Sequence, residues 1–376
     1  MRFATAARFG PPLPVPPDRT ATGPGRAAPQ PPSRLERVTG PATMPQNEDC
    51  LYLNVWAPPD ASDASVLVFL HGGGYTNGSG GLPWYDGQLL AERGHMVVVT
   101  ANYRLGALGF AYLAELADDM GAGNLGLRDQ LAALRWVRDH VAEFGGDPDR
   151  VTVAGQSAGA YSILALLSAG AADGLFRQAI LQSLPGGMLP HPPEAATRIA
   201  WSLLDALDLT DPAGLRSVPV GEILAAQQEV TRRANLGVVP PFQLTAEPGL
   251  VAADPIGAVG DNGANGVRLM VTFTRDEARA FTPDADELTE RVFMEPGRRL
   301  GELLAGQSNP PLWYEFDWAP PGSPLGACHC IDLPFVFGNL DAWRAAPMLA
   351  GADPERLTGL VDDVQDRWIS FVTSRT

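Results

Sequence analysis

The sequence predicts an α/β protein, a mostly parallel central sheet flanked by helices. Two observations carry this: short, bounded apolar runs of strand length, and longer stretches of helical periodicity alternating with them from Leu51 onward. Val66–Leu70 and Met96–Thr100 read as buried strands because both are continuous, β-branched and apolar. Gly126–Phe144 reads as a helix, with Leu127, Leu131, Leu134, Val137, Val141 and Phe144 recurring every three or four positions. Gly145 and Gly146 are expected to end it, and Asp147-Pro148 to turn the chain. Val151–Gly155 follows as a strand, then a small-residue turn and an apolar helix through Leu167. Ala179–Gln182, Leu269–Phe273 and Leu312–Phe316 are further strands. A last helix, Glu355–Val372, places Leu357, Leu360, Val361, Val364, Trp368 and Phe371 on one side.

The first 45 residues differ. They hold eleven prolines and little periodicity, so residues 1–46 are expected to form an extended wrap or a loose arm, with one domain over 47–376. The chain has 376 residues, 45% of them hydrophobic, enough to bury a large core. Its 27 basic residues are all arginine and face 43 acidic ones, a net charge of −16. That balance argues against a nucleic-acid partner or an anionic membrane. Without lysine there is no Walker-type phosphate loop, no Schiff base and no Ser-x-x-Lys hydrolase. Cys50, Cys328 and Cys330 are too few for a disulfide framework and suit a reducing compartment. No signal peptide and no run of about 18 apolar residues is visible, so a cytoplasmic protein without membrane insertion is expected.

Two segments carry chemistry. Gly155-Gln156-Ser157-Ala158-Gly159 lies between a strand and a helix. Glycines two before and two after the serine let strand and helix approach, leaving the hydroxyl exposed beside a helix N-terminus. His71-Gly72-Gly73-Gly74-Tyr75 directly follows the Val66–Leu70 strand. Three consecutive glycines cost backbone entropy and serve close approach. The Gly73 and Gly74 amides, with that of Ala158, are candidates to face a developing oxyanion. A strand followed by Thr274-Arg275-Asp276-Glu277 offers an acid, and residue chemistry alone leaves Asp276 and Glu277 open.

Glu48–Pro58 (EDCLYLNVWAP), His71–Gly74, Asn102–Phe110 (NYRLGALGF), Gly123–Gln130 (GNLGLRDQ) and the serine turn together resemble the type-B carboxylesterase family, which includes cholinesterases and para-nitrobenzyl-type esterases. The likeness is dense from Asn47 to Ser183 and patchy beyond. It implies an α/β-hydrolase fold, a Ser-Glu-His triad, a small-molecule carboxylic ester as substrate and no cofactor. Of five histidines, His329 lies in a segment similar to the family's histidine loop, while His71 belongs to the glycine loop, His140 to the long helix, His95 to a strand's approach and His191 to a proline-rich stretch. The family pattern, R-D-E with a following aromatic, selects Glu277 over Asp276. The resemblance also implies an ion pair between Arg104 and Asp129, and Ser183 and Asp332 as a layer behind the triad. Gln156 stands where many relatives place a glutamate, which argues against choline esters. Cys328-His329-Cys330 lacks the spacing and fourth ligand of a metal site.

The chain is short for that family. Reduced N-terminal, cap and C-terminal regions are expected, with an exposed sheet edge as a consequence. Two alternatives stay open: a non-catalytic, cholinesterase-like binding module, and acyl transfer or amide hydrolysis by the same triad. Oligomeric state is not legible.

Overall fold

The computed structural model describes residues 1–17, 23–117, 120, 123–308 and 310–374. Its centre is a seven-stranded sheet. In chain order, a two-residue hairpin of β1 (Ala4–Thr5) and β2 (Leu13–Pro14) precedes the sheet strands β3 (Leu53–Trp56), β4 (Ala64–Leu70), β5 (Val97–Ala101), β6 (Gly146–Gln156), β7 (Gln178–Gln182), β8 (Arg268–Thr274) and β9 (Leu312–Phe316). They lie in the order β3-β5-β4-β6-β7-β8-β9, with β3 antiparallel to β5 and the remainder parallel. Every residue of β4, β5 and β7 is buried, as strands covered by helices on both faces require. The helices Leu125–His140 and Ala158–Ser168 pack toward one core, and Pro354–Thr373 toward a second.

The expected strands and long helices are present, with ends shifted by a few residues. Two readings change. Asp147-Pro148 is not a turn: β6 begins at Gly146, which pairs with Ala64 before a register irregularity leads to Val66↔Val151. The chain thus stays extended through the proline, where a missing amide is tolerated beside a bulge. The short antiparallel β3, inside the Glu48–Pro58 segment, escaped the periodicity argument because only Leu53 of its four residues is fully buried.

The described residues of 1–46 are mostly extended, with one helical turn at Glu36–Thr39, and are docked on the domain. Phe3, Phe9, Ala28 and Val38 are buried; the Phe3 amide donates to Leu51 O at 3.0 Å, and the Arg8 guanidinium pairs with Glu48 at 2.5 Å. Gln30 both accepts from the Gly78 amide and donates to its carbonyl, at 2.8 Å each, tying this segment to the loop after β4. The sheet's far edge is bare, with Leu312 and Trp313 of β9 about half exposed.

Register places the site. Leu70 at the end of β4 pairs with Gly155 of β6, Gln156 with Gln182 of β7, and Gln182 with Thr272 of β8. The loops carrying Gly72–Gly74, Ser157, Ser183 and Glu277 therefore leave the sheet side by side at its carboxyl edge, where open α/β sheets form their crevices.

Candidate active site

Ser157 sits between β6 and the helix Ala158–Ser168 with φ 56° and ψ −119°, a backbone conformation that few non-glycine residues adopt. The flanking glycines make this possible. A Cβ on Gly155 would stand 2.4 Å from the Gly159 carbonyl carbon, and one on Gly159 would stand 2.1 Å from Leu70 O. The Ser157 amide donates to Gln182 O at 2.8 Å, which holds the turn in place from the next strand. Ala158 opens the helix, so its amide is among those that lack an intrahelical acceptor.

The glycine loop is braced from beneath. The Tyr103 hydroxyl donates to His71 O at 2.7 Å, and the His71 ring stacks on Tyr103 at 4.3 Å. Burial lowers the His71 pKa to about 4, so this ring is a neutral structural group. Gly73 and Gly74 have φ of 109° and 59°, and a Cβ on Gly73 would stand 2.1 Å from Asn77 O. Among the described residues neither amide finds a backbone acceptor. Ser157, Ala158, Gly73, Gly74 and His329 line one pocket.

His329 and Glu277 are both fully buried, and His329 Nδ1 lies 2.5 Å from Glu277 Oε2. The other carboxylate oxygen accepts from the Thr274 amide at 2.9 Å. Phe281 and Phe293 flank the imidazole with ring centres 5.3 and 5.4 Å away. The Gln156 amide nitrogen stands 3.0 Å from His329 Nε2. With Nδ1–H directed at a carboxylate, this amide donates to an unprotonated Nε2. Among the described residues no hydrogen bond joins Ser157 Oγ to His329, so the Nε2 lone pair is held by Gln156 instead.

Geometry separates the two acidic neighbours. Asp276 turns outward, pairing with Arg275 at 2.8 Å and Arg279 at 3.5 Å, and its Oδ2 accepts from the Ala327 amide at 2.9 Å. The Asp276 amide in turn donates to Ala327 O, and the His329 amide to Glu277 O. The histidine loop is thus laced to the turn after β8. This buttress was not anticipated; the lone clue was that the two carboxylates are adjacent.

Burial raises the Asp332 pKa to about 6, with the Glu277 charge adding to the rise. The Gln182 side chain offsets part of that rise, and the Ser183, Thr272 and Thr274 hydroxyls are buried with no hydrogen-bond partner among the described residues. Ser183, at φ 51°, bonds through its amide to Thr272 O and makes no bond to Glu277 or His329. Arg104 and Asp129 form a buried bidentate pair at 2.8 and 2.6 Å, with Asp129 also accepting the Arg104 amide. They lie outside the pocket. Cys328 and Cys330 are free, and no group of three or more His, Cys, Asp or Glu among the described residues is arranged to hold a metal.

A model of the carboxylesterase family matches residues 1–295. The chain belongs to the carboxylesterase family. A probable N-octanoylanthranilate hydrolase of Rhodococcus erythropolis is 38% identical over 99% of this chain and 87% of its own length. The para-nitrobenzyl esterase of Bacillus subtilis is 36% identical over 93% of this chain and 79% of its own. A thermophilic para-nitrobenzyl esterase superposes with a TM-score of 0.90 at 32% identity, covering all of this chain and 86% of that one. The fold is that of the α/β-hydrolase esterases, and the activity that accompanies membership is hydrolysis of carboxylic esters. Among the described residues no helix is long and apolar enough to cross a membrane.

Proposed function

We propose that this carboxylesterase works through an acyl-enzyme on Ser157. His329 takes the serine proton as Oγ attacks the ester carbonyl, and Glu277 orients the imidazole and stabilises its charged form. The amides of Gly73, Gly74 and Ala158 receive the oxyanion, each contributing about 3 kcal/mol to the transition state. His329 returns the proton to the leaving alcohol, and water repeats the sequence on the acyl-enzyme. No step calls on a cofactor.

The observation that carries this reading is the His329–Glu277 pair at 2.5 Å, buried beside the pocket that also holds Ser157 and two glycine amides with no backbone acceptor among the described residues. Gln156 has two consequences. As a donor it selects the tautomer a general base needs, and it must yield Nε2 to the serine hydroxyl when substrate arrives; catalytic hydrogen bonds commonly tighten only in the complex. A second cavity shares Ser33, Leu35, Gly73 and Asn77 with the Ser157 pocket and continues past Gln156 to Trp84 and Trp343. Two adjacent cavities suit the acyl and alcohol parts of a small ester. Three free, buried cysteines suit a reducing compartment, the basis for placing the protein in the cytoplasm.

Amide hydrolysis by the same serine is the second reading, favoured by the N-acyl compound in the name of the 38%-identical relative. Incubation with a fluorophosphonate, beside a series of p-nitrophenyl esters and a p-nitroanilide, tests both. Modification of Ser157 with ester turnover is expected. A protein that stays unlabelled and hydrolyses none of them would be a binding module instead.

A further inference from the structure

Arg34 belongs to the wall of the Ser157 pocket and, His329 apart, is the only ionisable side chain on it among the described residues. Most of the other lining residues are apolar, Leu35, Met188, Leu288, Val292 and Phe293 among them, with Ser33 and Asn77 polar but uncharged. The chain has 43 acidic residues, and other arginines use them: Arg2, Arg8, Arg93, Arg104 and Arg128 all have carboxylate partners. Arg34 has none. The residue is exposed to solvent at the pocket wall, and the protein around it lowers its pKa by desolvation, with no nearby acid to raise it back. A guanidinium remains charged regardless. Glu36, two residues on, lines the adjoining cavity and makes no bond to Arg34. The two chambers thus differ in sign, a cation on the Ser157 side and a carboxylate on the other.

A solvent-reaching guanidinium on the wall of a mostly apolar pocket, with no carboxylate partner among the described residues, is a site for a carboxylate carried in by the ligand, because its planar fork matches that group. We propose that Arg34 makes this protein select esters whose acyl chain ends in an anionic group, the carboxylate pairing with Arg34 while the ester carbonyl lies at Ser157. This inference rests on the esterase reading above and names its substrate class.

The test compares mono-p-nitrophenyl adipate with p-nitrophenyl heptanoate, chains of similar length that differ in the terminal charge. The ratio of their kcat/KM values within one preparation cancels differences in folded fraction. In Arg34→Gln the adipate-to-heptanoate ratio is expected to fall about fivefold, mainly through KM for adipate, while Arg34→Lys recovers part of it. Raising the salt to 0.5 M should lower the wild-type ratio as well, because the pair is partly exposed to solvent. An Arg34→Gln ratio equal to that of the wild type overturns the proposal and leaves the esterase reading standing. If the wild-type protein hydrolyses neither ester, the esterase reading fails, and this inference with it.

Discussion

The serine side of the site and the histidine side are held by different means. Ser157 owes its place to backbone: a strained turn, two glycines that no other residue could replace, and an amide bonded to the neighbouring strand. His329 lies on an irregular loop and depends on side chains as well as backbone, with Glu277 on its Nδ1, Gln156 on its Nε2 and Asp276 pinning the loop at Ala327 beside two backbone bonds from the Asp276 and His329 amides. A site built on backbone announces itself as a short motif. One built on side chains contributed by distant segments does not.

The two adjacent carboxylates give the largest test of this contrast. Glu277→Gln should lower kcat by about 10⁴, since it removes the charge facing Nδ1 and permits the wrong tautomer. Asp276→Ala should cost only about tenfold, because it loosens the loop without touching the imidazole; thermal melting should fall by a few degrees. Equal losses in the two variants would mean that the histidine loop does not depend on side chains in the way described.

Stability against pH separates the halves again, by a smaller margin. On the histidine side, Asp332 is pushed up to about 6 from an ordinary 3.8, so its folded form binds a proton earlier than the unfolded chain. Its ionisation opposes folding above pH 6, and that penalty fades as pH falls from 6 toward 4. Asp332→Asn should therefore melt a few degrees above the wild type at pH 7.5, with the difference narrowing by pH 5. On the glycine-loop side, His71 runs the other way. Its pKa is lowered to about 4, so the unfolded chain takes up the proton first, and stability is lost as pH falls from about 6.5 toward 4. This acid loss should appear in both proteins. Melting curves for the wild type and Asp332→Asn at pH 7.5, 6 and 5 check both signs, and a difference that widens in acid would contradict the assignment.

The same contrast explains what the sequence disclosed. The strands β4, β5, β7 and β8 and the Val151–Gly155 part of β6 were legible because they are buried and read as continuous apolar runs. The glycine loop and the serine turn were legible because tight backbone demands particular residues at fixed offsets. Residue chemistry could not choose between Asp276 and Glu277, since the choice depends on which of two adjacent side chains turns inward. The packing of residues 1–46 was open as well: proline excludes helix and central strand but does not say what the segment rests on, and Phe3, Phe9 and Val38 are too widely spaced to form a pattern. Arg34 escaped for the same reason, as nothing local distinguishes it from the other 26 arginines. Tyr103, which braces the glycine loop, reads locally as one more aromatic in a family-like segment.

The central claim is that Ser157 becomes acylated with His329 as its base. Rapid acid quench of the protein during turnover of p-nitrophenyl butyrate, followed by mass spectrometry of the peptides, tests it most directly. A butyryl group on Ser157 in the wild type, its absence in Ser157→Ala and a loss of about 10⁶ in kcat for that variant are the expected results. A butyryl group on any other residue, or turnover undiminished without the Ser157 hydroxyl, would contradict it.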